Sequence, residues 1–96
     1  MTAVRDGPPP FADRRSRLRE ALEGPGLDGL LVSHPPNVRY LSGFRGSAGL
    51  LLVLGGETLL VVDGRYGEQA RDEADAAVEV REVSGGLLSG LAGALE

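Results

Sequence analysis

The 96-residue sequence contains no cysteine, no lysine and no tryptophan, and its only histidine is His34. Without cysteine the chain forms neither disulfide bonds nor thiolate metal sites. A single histidine leaves little material for a catalytic triad, and the segment around Ser47 lacks the first glycine of a nucleophile elbow. No glycine cluster is followed by the lysine of a phosphate-binding loop. We therefore expect no catalytic residue in this chain and interpret Ser47 as a small packing residue.

Long hydrophobic runs are also missing, since the longest, Leu50 to Leu54, has five residues. This is far below the roughly 20 apolar residues of a membrane-spanning helix, and the N-terminus lacks the apolar segment of a signal peptide. The net charge of −4 argues against attraction to nucleic acid. The arginines of residues 14–19 are interleaved with acidic residues at helical spacing, which indicates a solvated helix face. We therefore predict neither a nucleic-acid partner nor a membrane partner.

The remaining composition, 42% hydrophobic and 25% charged, is typical of a soluble globular domain. Hydrophobic periodicity and glycine- or proline-rich breaks predict a disordered leader, residues 1–10, and one domain, residues 11–96. The predicted order is helix, strand, hairpin, helix, strand and helix, over residues 11–23, 27–32, 50–54 with 58–62, 65–76, 78–83 and 87–95. This order predicts an α/β domain with a mixed sheet and helices on both faces.

The predicted strands differ in their hydrophobic patterns. Residues 27–32 are almost continuously apolar, which favours a central strand that is covered on both faces. Two β-rich runs flank Gly55 and Gly56, so these runs are expected to form an antiparallel hairpin. Residues 78–83 alternate apolar and charged side chains, as in a half-exposed strand.

The connection between the first strand and the hairpin, residues 33–49, is the most specific stretch of the chain. Pro35 and Pro36 end the preceding strand, because proline lacks an N–H and favours extended backbone before it. Asn37 is predicted to cap a short helix, and Gly43 to end it in a left-handed conformation. Two aromatic residues are predicted to pack beneath this connection, Tyr40 and Phe44.

Arginines in two glycine-containing segments, the connection of residues 33–49 and the turn of residues 63–66, suggest a binding site. Asp63 is predicted to cap the following helix, with Tyr66 packed. Arg65 has two interpretations, a solvated side chain or a ligand for a carboxylate, because guanidinium groups beside glycine-rich turns suit carboxylate binding. The candidate anion ligands of the chain are three arginines, Arg39, Arg45 and Arg65.

Two motifs stand in a characteristic order. Residues 37–49 read Asn-Val-Arg-Tyr-Leu-Ser-Gly-Phe-Arg-Gly-Ser-Ala-Gly, and residues 63–66 read Asp-Gly-Arg-Tyr, followed by Gln69 and Ala70. With the predicted hairpin between them, these motifs resemble the N-terminal domain of the Xaa-Pro peptidases over about residues 13–95. That family comprises aminopeptidase P and prolidase, with creatinase as a relative.

The resemblance implies a three-layer α/β/α domain with a ribonuclease H-like arrangement. In the family a further strand and a larger catalytic domain follow, and an apolar stripe is still running at Glu96. We therefore expect a domain truncated at its C-terminal end. The family's catalytic domain holds two divalent ions, such as manganese, on Asp, His and Glu residues. None of those positions exists here, so no cofactor is predicted for this chain.

The implied function is the non-catalytic N-terminal domain of a cytoplasmic, homodimeric Xaa-Pro peptidase. It would support dimerisation and wall the active site, with its own C-terminal catalytic domain and a proline-containing peptide substrate as partners. This chain alone is expected to be inactive. The candidate substrate-binding residues are Phe44 and Arg45, at the tip of the connection, and Arg65. Two alternatives remain open, a free-standing α/β module that binds an anion and a non-catalytic scaffold relative of the peptidases.

Overall fold

The computed structural model describes residues 10–94. Within this range four helices and four strands follow one another as α1 (Phe11–Glu23), β1 (Gly29–Val32), α2 (Pro35–Ser42), β2 (Leu50–Leu54), β3 (Thr58–Asp63), α3 (Gly67–Glu73), β4 (Glu79–Val83) and α4 (Leu87–Ala94). The predicted leader, residues 1–10, lies outside the described residues apart from Pro10, and so do Leu95 and Glu96.

The sheet is mixed, as predicted, with the strand order β1-β2-β3-β4. β2 pairs antiparallel with both β1 and β3, whereas β3 and β4 are parallel. The predicted glycine-rich hairpin joins β2 to β3, and the Leu54 N–H donates to the Glu57 carbonyl oxygen across it at 2.9 Å. Parallel neighbours need a crossover connection, which α3 provides between β3 and β4.

Helices cover both faces of the sheet, which confirms the predicted three layers. α1, α2 and α3 pack on one face and α4 packs on the other. The side chains of the central strands alternate between these two cores: Leu51 and Leu60 lie towards α1–α3, whereas Leu52 and Leu59 lie towards α4. Burial on both faces explains why β2 and β3 are uninterrupted apolar runs.

The prediction for the first strand was wrong in position and in length. β1 begins at Gly29 rather than Leu27, and it forms an edge of the sheet rather than its centre. Leu30 and Leu31 remain 36% and 42% exposed. A continuous apolar run indicates two-sided cover only where a strand has neighbours on both edges, and β1 has one neighbour, β2, within the described residues.

Side chains of α1 form hydrogen bonds with other elements, and two of them, Arg15 and Arg19, are central to its packing. Arg15 is buried, and its guanidinium donates to the Leu41 carbonyl oxygen at 2.8 Å and to Asp75 Oδ2 at 2.6 Å. Arg19 donates to the Leu54 carbonyl oxygen at 2.6 Å. The charge of Arg15 therefore lies inside the domain, whereas the arginines of residues 14–19 were predicted to lie on a solvated helix face.

α3 is shorter than predicted. Residues 64–66 form a turn, in which the Tyr66 N–H donates to the Asp63 carbonyl oxygen at 3.0 Å, and the helix begins at Gly67. Ala70 is fully buried, whereas Ala77 lies beyond the helix and is exposed. Among residues 10–94 no helix is long and apolar enough to cross a membrane.

Candidate anion-binding site

α2 leads into the most specific connection of the chain without a side-chain cap. The helix begins at Pro35, and the carbonyl oxygen of His34 accepts the N–H groups of Asn37 and Val38 at 2.9 and 3.0 Å. The prediction of Asn37 as the cap is wrong, because Asn37 lies inside the helix. Pro35 and Pro36 have no N–H to satisfy, so the main chain of His34 is sufficient.

Gly43 ends α2 as predicted. Its φ of 91° is left-handed, and its N–H donates to the Arg39 carbonyl oxygen at 2.9 Å. A Cβ atom at this position would lie 2.8 Å from the Glu73 carbonyl oxygen, so glycine also permits close contact with the end of α3. This turn redirects the chain so that residues after α2 lie beside its last turn.

Phe44 packs in the core beneath the connection, as predicted, and not at the tip of the connection, the other position that we predicted for it. Its side chain is 1% exposed, and its ring meets the Tyr66 ring edge-on with centroids 5.9 Å apart. A Cβ atom on Gly46 would overlap the Phe44 ring, so the loop closes directly over it. Phe44 therefore supports the loop from below and presents no free face to a ligand.

Tyr40 is exposed, although we predicted that it packs beneath the connection. Its side chain is 55% exposed instead of packed beneath the connection. The Arg14 guanidinium stacks on its ring at 4.0 Å and donates to the Tyr40 carbonyl oxygen at 2.9 Å. Arg14 was not among the predicted site residues, because its partner lies 26 positions further along the chain.

Arg39 and Arg45 lie together on the surface beside α2. Both line a groove of about 440 Å³ that Arg14 also lines, and an adjoining groove of about 300 Å³ beside Pro36. Among residues 10–94 no acidic side chain lines either groove. Within residues 10–94 neither the Arg39 nor the Arg45 guanidinium has a hydrogen-bond or ion-pair partner. These two charges are therefore available for an anion.

The main chain of Arg45 is fixed although its side chain is exposed. Its N–H donates to Glu73 Oε1 at 2.8 Å, and the same carboxylate accepts bonds from the Gln69 amide at 3.1 and 3.2 Å. Glu73 was also missed from the sequence, although the spacing of Gln69 and Glu73 on one helix face is a usable signal. α3 thus holds the start of the loop that presents Arg45.

Arg65 lies apart from the other two predicted ligands and lines neither groove. Its guanidinium pairs with Asp63 at 2.8 Å, and Asp63 Oδ1 also accepts the Arg65 N–H at 3.0 Å. The side-chain hydrogen bond from Arg65 is the main reason that the pKa of Asp63 lies below its ordinary value. The predicted helix cap by Asp63 is wrong, because α3 has no side-chain cap.

The other side of the loop is held by a hydroxyl pair. Ser47 Oγ and the Tyr66 hydroxyl are 2.7 Å apart, and Tyr66 is half-buried, in agreement with its predicted packing. Ser47 is exposed, so it is a hydrogen-bonding residue of the loop rather than the predicted packing residue.

The side chains of this domain do not fit a metal centre. Among residues 10–94 no three His, Cys, Asp or Glu side chains come together as potential ligands. Chemistry that requires a bound metal ion therefore has no ligand set in the described part of the chain.

The mixed sheet in three layers agrees with a match to a protein family. The chain belongs to the Creatinase/Prolidase N-terminal domain family, whose model matches residues 14–96. This confirms the predicted resemblance to the N-terminal domains of the Xaa-Pro peptidases.

Individual relatives are similar over most of this chain. An uncharacterized peptidase of Bacillus subtilis, YqhT, is 38% identical over 80 residues, which cover 83% of this chain and 22% of the relative. The Xaa-Pro dipeptidase from Bacillus anthracis superposes with a TM-score of 0.81 at 29% identity, over 88% of this chain and 24% of that one. This chain therefore spans about a quarter or less of the length of these two relatives.

A third relative is itself an N-terminal domain. The N-terminal domain of the cytoplasmic peptidase PepQ from Mycobacterium tuberculosis superposes with a TM-score of 0.70 at 43% identity. The match covers 75% of this chain and 56% of that one.

Proposed function

We propose that this chain is the non-catalytic N-terminal domain of a metal-dependent Xaa-Pro peptidase that works as a cytoplasmic homodimer. The observation that carries the proposal is the family match over residues 14–96, together with the Xaa-Pro dipeptidase among its structural relatives. In this proposal the domain supports dimerisation and forms part of the wall around the active site. A proline-containing peptide is the substrate.

The catalytic domain supplies the metal ions in this proposal. Two divalent ions, such as manganese, would activate the water that attacks the peptide bond next to proline. The described residues of the N-terminal domain offer no ligand set for them. In this proposal the N-terminal domain instead places a positive charge beside the substrate and excludes water from that side of it.

Arg45 is the residue proposed to reach the substrate. Its main-chain N–H donates to Glu73, its guanidinium is exposed, and no carboxylate from the described residues lines either groove. A charge-assisted hydrogen bond to the carboxylate end of the substrate is worth about 1.5–3 kcal/mol. Phe44 contributes by supporting the loop, and Arg65 is the weaker candidate because Asp63 already compensates its charge.

Replacement of Arg45 tests this role in the peptidase that joins this domain to its catalytic domain. We expect Arg45→Ala to lower kcat/KM for an Xaa-Pro substrate by about 10- to 150-fold. Arg71→Ala is the matched control, because Arg71 is an exposed arginine that pairs with Glu82 and lines neither groove. Arg65→Ala tests the competing candidate.

The outcomes separate the candidates. If kcat/KM of the Arg45→Ala enzyme stays within about twofold of the parent, Arg45 does not contact the substrate. A large loss in the Arg65→Ala enzyme alone would transfer the role to Arg65. Urea unfolding of each variant shows whether a loss of activity reflects a loss of folded protein.

A free-standing anion-binding module is the second candidate function. The observation that favours it is the grouping of Arg14, Arg39 and Arg45 around one groove without an acidic neighbour, in a chain of net charge −4. Titration calorimetry of the 96-residue chain with succinate and with phosphate tests it. Binding that is lost in the Arg39→Ala variant would favour this module, whereas a scaffold relative of the peptidases would bind neither anion.

A further inference from the structure

The outer edge of β1 carries no further strand within residues 10–94. Its four residues, Gly29–Val32, include no charged residue and no proline, which are devices that natural edge strands use to avoid pairing. Alternate residues of an antiparallel strand direct their backbone groups to opposite edges, so about half of these N–H and C=O groups face outward. This edge is therefore able to accept another strand.

An apolar groove of about 420 Å³, the β1 groove, lies beside this edge on the face of the sheet that α1, α2 and α3 cover. Its apolar lining includes Leu18, Leu30, Val32 and Leu41, and its charged lining residues are Arg14 and Arg17. Leu31 is exposed on the opposite face of the same strand. A strand added to this edge would therefore meet apolar side chains on both faces, and it would meet the positive charge of Arg14 and Arg17 on the face covered by α1, α2 and α3.

A second copy of the chain is a poor occupant of this edge. Two antiparallel β1 strands related by a twofold axis would place both α1 helices on the same face of the joined sheet. Arg14 and Arg17 of each copy would then lie on the same face as those of the other copy, and like charges on one face of paired strands repel each other. In the part of the chain that the structure describes, the groove lining contains no acidic side chain to compensate them.

An acidic segment is favoured by the same charges. Arg17 already pairs with Asp13 at 3.1 Å, but the two side chains are 79% and 61% exposed, so the pair is weak. The guanidinium has five N–H donors and retains some for a second carboxylate. Arg14 is held in place by its stacking on Tyr40.

We propose that the β1 edge and the β1 groove bind an extended peptide strand whose apolar residues are followed by carboxylates on the groove-facing side. Successive side chains of a strand point to opposite faces. One apolar residue therefore enters the groove, its neighbour packs on Leu31, and the acidic residues further along the groove-facing side pair with Arg14 and Arg17. The backbone of the peptide hydrogen-bonds to Gly29–Val32.

A labelled peptide with the sequence Thr-Val-Val-Glu-Val-Glu-Thr, blocked at both ends, is the probe. Fluorescence anisotropy with the 96-residue chain measures its binding. Replacing both glutamates by lysine should weaken binding by about 5- to 20-fold, because attraction to exposed arginines becomes repulsion. N-methylation of both the second and the third residue of the peptide, two successive valines, should weaken binding by at least about tenfold, because one of two successive N–H groups faces β1 and its backbone hydrogen bond is lost.

Variants of the protein locate the site. Leu30→Lys should abolish binding of the probe, since it places a charge in the β1 groove. Leu88→Lys is the matched control, because Leu88 lies on α4 and is highly exposed. Arg17→Glu should lower the affinity for the glutamate peptide and raise that for the lysine peptide, and this reversal would not follow from a loss of folding.

Three results would overturn the proposal. Equal affinity for the glutamate and lysine peptides contradicts the charge preference. Binding that survives N-methylation or Leu30→Lys contradicts strand addition at β1. A dimer in gel filtration that Leu30→Lys dissociates would make a second copy the occupant. Each of these results leaves the proposed peptidase role untouched, because the measurements use neither substrate nor catalytic domain.

Discussion

Removal of the buried guanidinium of Arg15 is expected to be the most destabilising single change in the first helix. The Arg15 and Asp75 side chains are 3% and 22% exposed, and Arg15 also donates to the Leu41 carbonyl oxygen. Arg15→Ala leaves a mostly buried carboxylate and a carbonyl group without their donor. Breaking a buried ion pair from one side costs about 3–5 kcal/mol.

The expected loss lies near the low end of that range, because the Asp75 carboxylate keeps some contact with water. A loss of about 3 kcal/mol is a large part of the 5–15 kcal/mol that stabilises a domain of this size. It should lower Tm by roughly 12–24 °C at 4–8 °C per kcal/mol. The loss is measured by urea unfolding followed by circular dichroism.

Arg17→Ala is the matched control for this measurement. Arg17 lies two residues further along the same helix, and its ion pair with Asp13 is exposed to solvent, so its removal should cost at most about 1 kcal/mol. A double-mutant cycle with Asp75→Asn isolates the ion pair from the hydrogen bond to Leu41. If Arg15→Ala costs no more than Arg17→Ala, the buried ion pair does not stabilise the packing of α1 against α2 and the segment after α3.

Two further predictions concern the turns around the candidate site. Gly43→Ala should lower the free energy of unfolding by about 1–3 kcal/mol, because φ is 91° and the new Cβ would clash with the Glu73 carbonyl oxygen. Gly93→Ala in α4 is the control: a Cβ there would meet no other atom, so alanine should raise the free energy of unfolding by about 0.5–1 kcal/mol in the same urea titration. Arg65→Ala should raise the pKa of Asp63 towards its ordinary value in an NMR titration of the carboxyl carbon, since the Arg65 hydrogen bond holds it down. Because the pKa of Asp63 is depressed in the folded protein, the stability that this pair contributes is present above the ordinary pKa of aspartate and is lost as pH falls through the lowered value. If the free energies of unfolding of Arg65→Ala and the parent differ by the same amount at every pH, this reasoning is wrong.

The elements that could be predicted from the sequence are those with local signals. The glycine pair between β2 and β3 encodes an antiparallel hairpin, and Gly43 encodes the end of α2, because both depend only on neighbouring residues. The position of β1 in the sheet could not be predicted in this way. An apolar run shows that a strand is partly buried, but its neighbours depend on the topology of the whole chain.

In the candidate site, too, the features that depend on residues far apart in the sequence could not be predicted. Arg45 was predicted from a motif, and its fixed main chain depends on Glu73, which lies 28 positions away. The burial of Arg15 depends on Asp75, which lies 60 positions away. Phe44 and Tyr40 both occupy positions that suit packing beneath the loop, and tertiary contacts decided that Phe44 is buried and Tyr40 stacks with Arg14.

Hydrolysis of an Xaa-Pro dipeptide by three samples tests the account most directly: the 96-residue chain alone, the proposed catalytic domain alone, and the two joined. With manganese present, the proposed role predicts no turnover by the 96-residue chain and a higher kcat/KM for the joined protein than for the catalytic domain alone. Turnover by the 96-residue chain itself, or an equal kcat/KM with and without it, would contradict a non-catalytic domain that completes the wall of the active site.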